Sequence, residues 1–217
     1  MMTLISATPS PYARKVRIAL AEKSIPFELV TEVPWNDTTA TPRHNPLEKL
    51  PVLILEDGTS VYESHHILEW IEAKHPTPPL LPADIDGRLF ARQVEVVADG
   101  VCDALVLLFW ERNRAPEHRS AEWQARQLRK VDGGIRALAE WVAQGQEEGA
   151  AKPFIQGRFG LADIAAGTVC GYLDVRFPDH PWRARHPALS AYSRALERRP
   201  SFAATVPVAQ VIADKVV

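Results

Sequence analysis

Residues 10–17 read Ser10-Pro11-Tyr12-Ala13-Arg14-Lys15-Val16-Arg17 and follow a short apolar run at residues 3–7. A proline is tolerated in the first turn of a helix, where its missing N–H is not needed, and serine is a preferred N-cap. The stretch therefore predicts a helix beginning at Pro11 with Ser10 as its cap. Val16, Ala19 and Leu20 continue it at helical spacing to about residue 23. Residues 27–31 (Phe-Glu-Leu-Val-Thr) alternate like a strand, which completes a βαβ unit. After an irregular stretch over residues 34–46, Val52-Leu53-Ile54-Leu55, the turn Glu56-Asp57-Gly58-Thr59 and Ser60-Val61-Tyr62 read as a β-hairpin. Ser64 is then a suitable N-cap for a helix with Ile67, Leu68 and Ile71 on its inner face.

Prolines 76, 78, 79 and 82 end that helix and stiffen the next stretch of chain without supplying backbone donors. Beyond them the pattern is helical only. Leu89, Val96, Val97, Val101, Leu105 and Leu108, then Leu128, Val131, Ile135, Leu138 and Val142, step by threes and fours. Residues 144–152 read as a loop. A further helix starts near Gly160, with Asp163 placed to favour its dipole and Phe159 and Ile164 as a staple, and a last one covers about residues 188–199. The expected organisation is an α/β domain over residues 1–75, a proline-rich linker over 76–85 and an all-α bundle over 86–217.

The chain has 217 residues, 46% of them hydrophobic, and a formal net charge of −2. Two modest cores are within reach, and the near-neutral charge argues against nucleic acid or an anionic membrane surface as partner. No apolar run reaches 18 residues, and the first residues lack a charged start followed by a long apolar stretch, so a cytoplasmic location is expected. Cys102 and Cys170 are isolated within helical segments, which suits buried structural thiols. His65 and His66 are adjacent, so a helix points them about 100° apart, unlike the i, i+4 pair that binds metal; no metal site is expected.

The order βαβ then ββα is similar to a thioredoxin-like domain. Residues 10–13 resemble a thioredoxin-type Cys-Pro-Tyr-Cys site with Ser10 and Ala13 in place of the two cysteines. Such a site works through a low-pKa thiolate at a helix N-terminus, so the resemblance implies that the sulfur arrives with a ligand, and glutathione is the obvious one. A free thiol titrates near ~8.5, and a charge-assisted hydrogen bond from a hydroxyl contributes about 1.5–3 kcal/mol. That lowers the thiol pKa by about one to two, enough to make thiolate abundant near neutrality.

Two more segments fit the same ligand. In Asn45-Pro46-Leu47-Glu48-Lys49-Leu50-Pro51-Val52, the general preference of X–Pro bonds is trans. By order and spacing, however, Pro51 resembles the superfamily's cis-proline opposite the active-site helix. That implies a Leu50 backbone free to pair with a peptide-like ligand, while Lys49 is either a carboxylate partner or a solvated lysine. In Tyr62-Glu63-Ser64-His65-His66, the Ser64 hydroxyl and the free amides beside it suit a carboxylate, and Glu63 suits an ammonium group. Together they suit an α-amino acid head such as the γ-glutamyl end of glutathione.

Across nearly its whole length the chain resembles a cytosolic glutathione S-transferase, of the bacterial serine-type, zeta- and omega-like kind. The resemblance rests on residues 10–20, 45–55, 62–70 and Phe159-Gly160-Leu161-Ala162-Asp163-Ile164. It implies the glutathione transferase fold, an α/β N-terminal thioredoxin-like domain plus an all-α C-terminal helical bundle. It also implies Ser10 as thiol activator, glutathione contacts from Ser10, Lys49, Leu50, Glu63 and Ser64, glutathione as co-substrate with a small hydrophobic electrophile, detoxification chemistry and a homodimer. Two departures stand out: Glu48 where many relatives have glycine, and Gly160 where a serine or threonine cap is usual.

Phe109, Trp110, Arg112 and Arg114 would either line the acceptor pocket or pack a helix end, and Trp35 is either an active-site wall or a loop anchor. With Ala13 and Ser10 where the two cysteines would stand, disulfide reduction by the chain's own thiols is disfavoured. Conjugation, isomerisation, reductive dehalogenation and reduction by two bound glutathiones all remain open. The competing reading is a non-catalytic interaction protein on the same scaffold, like the stringent-starvation relatives.

Overall fold

The computed structural model describes residues 1–147 and 154–217. Its chain divides into two compact units, one formed by Met1–Leu80 with Arg199–Val216, the other by Leu81–Arg198.

In the first unit, β1 (Met2–Ser6), α1 (Pro11–Glu22) and β2 (Phe27–Thr31) form the βαβ motif, and β3 (Val52–Ile54), β4 (Ser60–Tyr62) and α2 (Ser64–Lys74) come next. The four-stranded sheet has the order β2-β1-β3-β4. β1 runs parallel to β2 and antiparallel to β3, and β3 and β4 form the hairpin. Leu4, Ile5, Val52 and Leu53 of the sheet and Val16, Ala19, Leu20, Ile67, Leu68 and Ile71 of the two helices are all buried. Leu4 with Ile5 and Val52 with Leu53 are consecutive and so point to opposite faces of the sheet, both of them buried there, while the helical residues recur at helical spacing. Lys23 Nζ ties the segment after α2 to this unit, donating to the carbonyls of His75 and Pro78 at 2.7 Å each and pairing with Glu72 at 2.6 Å.

The second unit is helical: α3 (Ile85–Asn113), α4 (Ala121–Glu147), α5 (Leu161–Arg176), the short α6 (Trp182–Arg185) and α7 (Pro187–Glu197). α5 packs against α3 and α7, and every residue from Leu161 to Leu173 is buried. Its start is closed by Asp163, whose carboxylate accepts from Gly160 N at 2.9 Å, Ile155 N at 3.1 Å and the Tyr192 hydroxyl at 2.6 Å. Glycine has no side chain to cap with, so Asp163 closes the helix start alone.

Three expectations change. α4 continues through Glu147, so residues 144–147 of the expected loop are helical, and residues 148–152 lie outside the described residues. Leu89 and Val96 are exposed at 61% and 64%, because α3 turns Ala91, Val94, Glu95 and Ala98 inward instead. Arg199–Val216, expected with the bundle, clusters with the first unit. The physical reason is specific. Short α8 (Pro200–Ala203) packs on α1 with Phe202 buried, and Arg14, also buried, donates to Phe202 O at 3.3 Å. Arg199 and Ser201 bond to Glu22, and further along Thr8 donates to Val208 O at 2.8 Å.

Candidate functional site

The site follows from register. Ile5 pairs with Val52 and Val52 with Tyr62. The chain therefore passes one end of the sheet three times: out of β1 toward Ser10, into β3 at Leu50-Pro51, and out of β4 at Glu63 and Ser64. α1 and α2 both begin at that end, so two helix N-termini bring partial positive charge to it.

Ser10 caps α1 as its sequence predicts. Its backbone is extended (φ −66°, ψ 120°), and its half-buried hydroxyl oxygen accepts from Ala13 N at 3.2 Å. Because the oxygen is the acceptor in the cap, the hydroxyl proton is left to donate outward. The Leu50-Pro51 bond is cis. Leu50 lies outside the paired register, which begins at Val52.

The loop before it is shaped by Asn45, which is 2% exposed. Asn45 Nδ2 donates to Lys49 O at 2.6 Å, and its Oδ1 and carbonyl accept from Leu47 N at 2.9 Å and Glu48 N at 3.0 Å. Glu48 sits at φ 55°. The loop needs a left-handed residue there, and this chain meets the need with a glutamate.

α2 corrects one expectation. Its N-cap is Glu63 and not Ser64, which is the first helical residue. The Glu63 carboxylate accepts from His65 N at 3.1 Å, His66 N at 3.3 Å and the Ser64 hydroxyl at 3.3 Å. The amides expected to be free for a ligand are thus taken by Glu63, and the cap leaves only that of Ser64 outside it. Glu63 is exposed and held at φ 72°, while Ser64 is buried. Among the described residues, Ser24, Glu48 and Glu63 are the non-glycine residues at positive φ. Two of the three stand in the segments that frame this site, where stored backbone strain is most often found.

Residues 9–74 match the glutathione S-transferase N-terminal domain and residues 121–195 the glutathione S-transferase C-terminal domain. This chain belongs to the glutathione S-transferase family. It is similar to a crystal structure of a glutathione S-transferase from Methylobacterium radiotolerans in complex with glutathione sulfonate, at 61% identity over 100% of this chain and 99% of that one, with a TM-score of 0.94. A glutathione S-transferase from Methylobacillus flagellatus with GSH bound shares 36% identity over 96% of this chain and 100% of that one, at a TM-score of 0.88. The uncharacterized GST-like protein YibF of Escherichia coli (strain K12) is 33% identical over 95% of this chain and 98% of its own length.

Other features of this family member fall outside the sheet end. Cys102 and Cys170 are buried and in no disulfide, and burial, with a smaller push from Asp174, raises the Cys170 thiol to about 12. In the helical unit the Phe109 and Trp110 rings meet edge-on at 5.1 Å, Arg176 lies 4.3 Å over Phe109, and Arg112 lies 4.3 Å over Phe177. Arg114 Nε donates to His118 O at 3.0 Å. Trp35 is 43% exposed in its loop. His65 pairs with Glu69 one turn on. Among the described residues no cluster of potential metal ligands occurs, and no helix is long and apolar enough to cross a membrane. Sequence reasoning used Asn45 only as the start of a motif, and its loop-shaping role shows only in the fold.

Proposed function

We propose that this chain is a glutathione transferase in which Ser10 holds bound glutathione as its thiolate for attack on a small hydrophobic electrophile. The observation that carries the reading is the Ser10 cap, whose oxygen is engaged by Ala13 N–H so that its proton can donate to a sulfur docked at the start of α1. The Leu50 backbone pairs with the peptide part of the ligand, and Lys49 meets its glycyl carboxylate. Glu63 keeps the α2 cap while its remaining lone pairs take the γ-glutamyl ammonium, and the Ser64 amide and hydroxyl take the α-carboxylate. The thiol proton leaves to solvent, and the hydroxyl and helix dipole stabilise the sulfur anion. The sulfur forms a bond to the electrophilic carbon as that carbon's bond to its leaving group breaks and the group departs with the electron pair, or, for an activated double bond, as the π pair moves to the neighbouring atom and is protonated from solvent. Proximity supplies much of the remaining acceleration.

Conjugation, isomerisation and reductive dehalogenation share this first step. Relatives with glutathione sulfonate or GSH bound support the ligand. The buried Cys170 thiol, titrating near 12, supports a borrowed sulfur over an internal one. A homodimer acting in cytoplasmic detoxification completes the proposal. Ile85, Leu89 and Val96, exposed one above another along α3, offer a face that a second copy would cover, and light scattering should read twice 24.1 kDa.

The test is calorimetric titration with glutathione followed by thiolate absorbance of the bound ligand. Ser10→Ala should leave the dissociation constant within about threefold and raise the bound thiol pKa by about one to two, the equivalent of about 1.5–3 kcal/mol. No binding at millimolar glutathione overturns the enzyme reading in favour of an interaction protein. An unchanged thiol pKa removes Ser10 from its role.

A further inference from the structure

Glu32 comes directly after β2 and belongs to none of the segments that frame the site. A single carboxylate oxygen, Oε2, accepts from the hydroxyls of Thr39 and Thr41 and from the backbone amides of Ala40 at 3.0 Å and Thr41 at 3.2 Å. Burial alone would raise this carboxyl, but the bonds from Thr39, Thr41 and the two amides outweigh it and hold it below the ordinary carboxylate range. The backbone of Glu32 is fixed as well. Its N–H donates to Ser6 O at 2.8 Å, and its carbonyl accepts from Gln210 Nε2 at 3.3 Å.

The clamp continues toward the proposed ligand. Thr41 is fully buried, and its carbonyl accepts from His44 N and Asn45 N at 3.0 Å each. Asn45 then holds Leu47 N, Glu48 N and Lys49 O. An unbroken series of hydrogen bonds thus runs from the Glu32 carboxylate to the carbonyl just before Leu50. Four donors converge on one oxygen, and a charged acceptor makes each bond stronger than its neutral counterpart.

We infer that Glu32 is a positioning residue for glutathione: through Thr41 and Asn45 it sets where Lys49 and the Leu50 backbone stand against the ligand. The inference rests on the glutathione reading of the site. It separates binding from activation, because the Ser10 cap on α1 shares none of these bonds.

The test compares Glu32→Gln and Thr41→Val with the wild-type chain and with Glu72→Gln. Glu72 is a second multiply bonded carboxylate of the same unit, tied to Lys23 at 2.6 Å and Leu80 N at 3.2 Å and away from the site segments. Glu32→Gln should raise the glutathione Kd and KM about tenfold, the scale of one bond to a charged group. It should leave kcat at saturating glutathione and the bound thiol pKa within twofold and a few tenths, respectively. Thr41→Val, nearly isosteric and deprived only of its hydroxyl, should raise Kd about threefold, with Thr41→Ser restoring it. Glu72→Gln should leave Kd unchanged whatever it does to the melting temperature. Unchanged Kd in folded Glu32→Gln and Thr41→Val overturns the inference alone. So does an equal rise in Glu72→Gln, which would make the effect general loosening of the unit. Failure of the wild-type chain to bind glutathione overturns the reading and the inference together.

Discussion

Two helix starts in this molecule look alike on paper and do opposite work. α5 begins at Gly160 with an aspartate three residues on, and α1 begins at Ser10 with a proline next. At α5 the Asp163 carboxylate is buried and accepts three bonds, from Gly160 N, Ile155 N and the Tyr192 hydroxyl. All three donors come from within its own helical unit. At α1 the half-buried Ser10 oxygen accepts one, from Ala13 N, and keeps a proton to give. A cap saturated from within holds a fold together, whereas a cap with an unused donor and access to solvent can meet a ligand. α2 stands between the two, since Glu63 caps it from an exposed, left-handed position that can also face outward.

The strongest way to break the comparison is Asp163→Ala. It strands Gly160 N, Ile155 N and the Tyr192 hydroxyl, each a buried group that costs about 1–3 kcal/mol when unpaired. A loss of about 3–5 kcal/mol is expected, read by urea unfolding of the helical unit. A loss below about 1 kcal/mol would show that this start is no more structural than that of α1.

The next effect is a pH dependence. Burial raises the Asp163 carboxyl from 3.8 to about 6, against the pull of its bonds to Tyr192, Ile155 and Gly160. The folded state therefore holds this proton more tightly than the unfolded one. The stabilisation it adds is full below about 3.8 and is lost as pH rises through about 6. At about 1.4 kcal/mol per pH unit the swing is about 3 kcal/mol. Asp163→Asn does not titrate, so the wild-type chain should gain on it by most of that amount between pH 7 and pH 4 in paired urea titrations. Parallel curves would remove the buried carboxyl as the source.

What the sequence made legible was local. Strand 27–31, the hairpin over 52–62 and the Ser10 cap can be read because period, turn chemistry and Ser-Pro spacing act within a few residues. The register that brings Ser10, Leu50 and Glu63 to one sheet end is the next step, and the resemblance supplied it. What stayed hidden is non-local or conformational. No pattern announces that Glu63 takes a left-handed backbone and displaces Ser64 as the cap, since side-chain type favours serine there. Leu89 and Val96 obey helical spacing, yet α3 turns Ala91, Val94, Glu95 and Ala98 inward in their place. The bonds from Thr8 to Val208 and from Glu22 to Arg199 and Ser201 span about 180 to 200 residues. Composition therefore gave no sign that the last segment rejoins the first unit.

The smallest effect is the most discriminating. If Ser10 is a cap with chemistry added, its two duties should come apart under substitution. Removing a serine cap for alanine costs about 1 kcal/mol, whereas glycine, whose backbone leaves the helix end open to water, costs only a few tenths. Ser10→Ala should therefore lower the melting temperature by about 2–4 °C and Ser10→Gly by less than that. Both should raise the bound thiol pKa equally, because neither retains a hydroxyl. Differential scanning fluorimetry alongside the thiolate titration reads the two quantities on the same samples. If the thiol pKa followed the melting temperature from alanine to glycine, the sulfur would be responding to the integrity of the helix start, and α1 would join α5 as a structural cap.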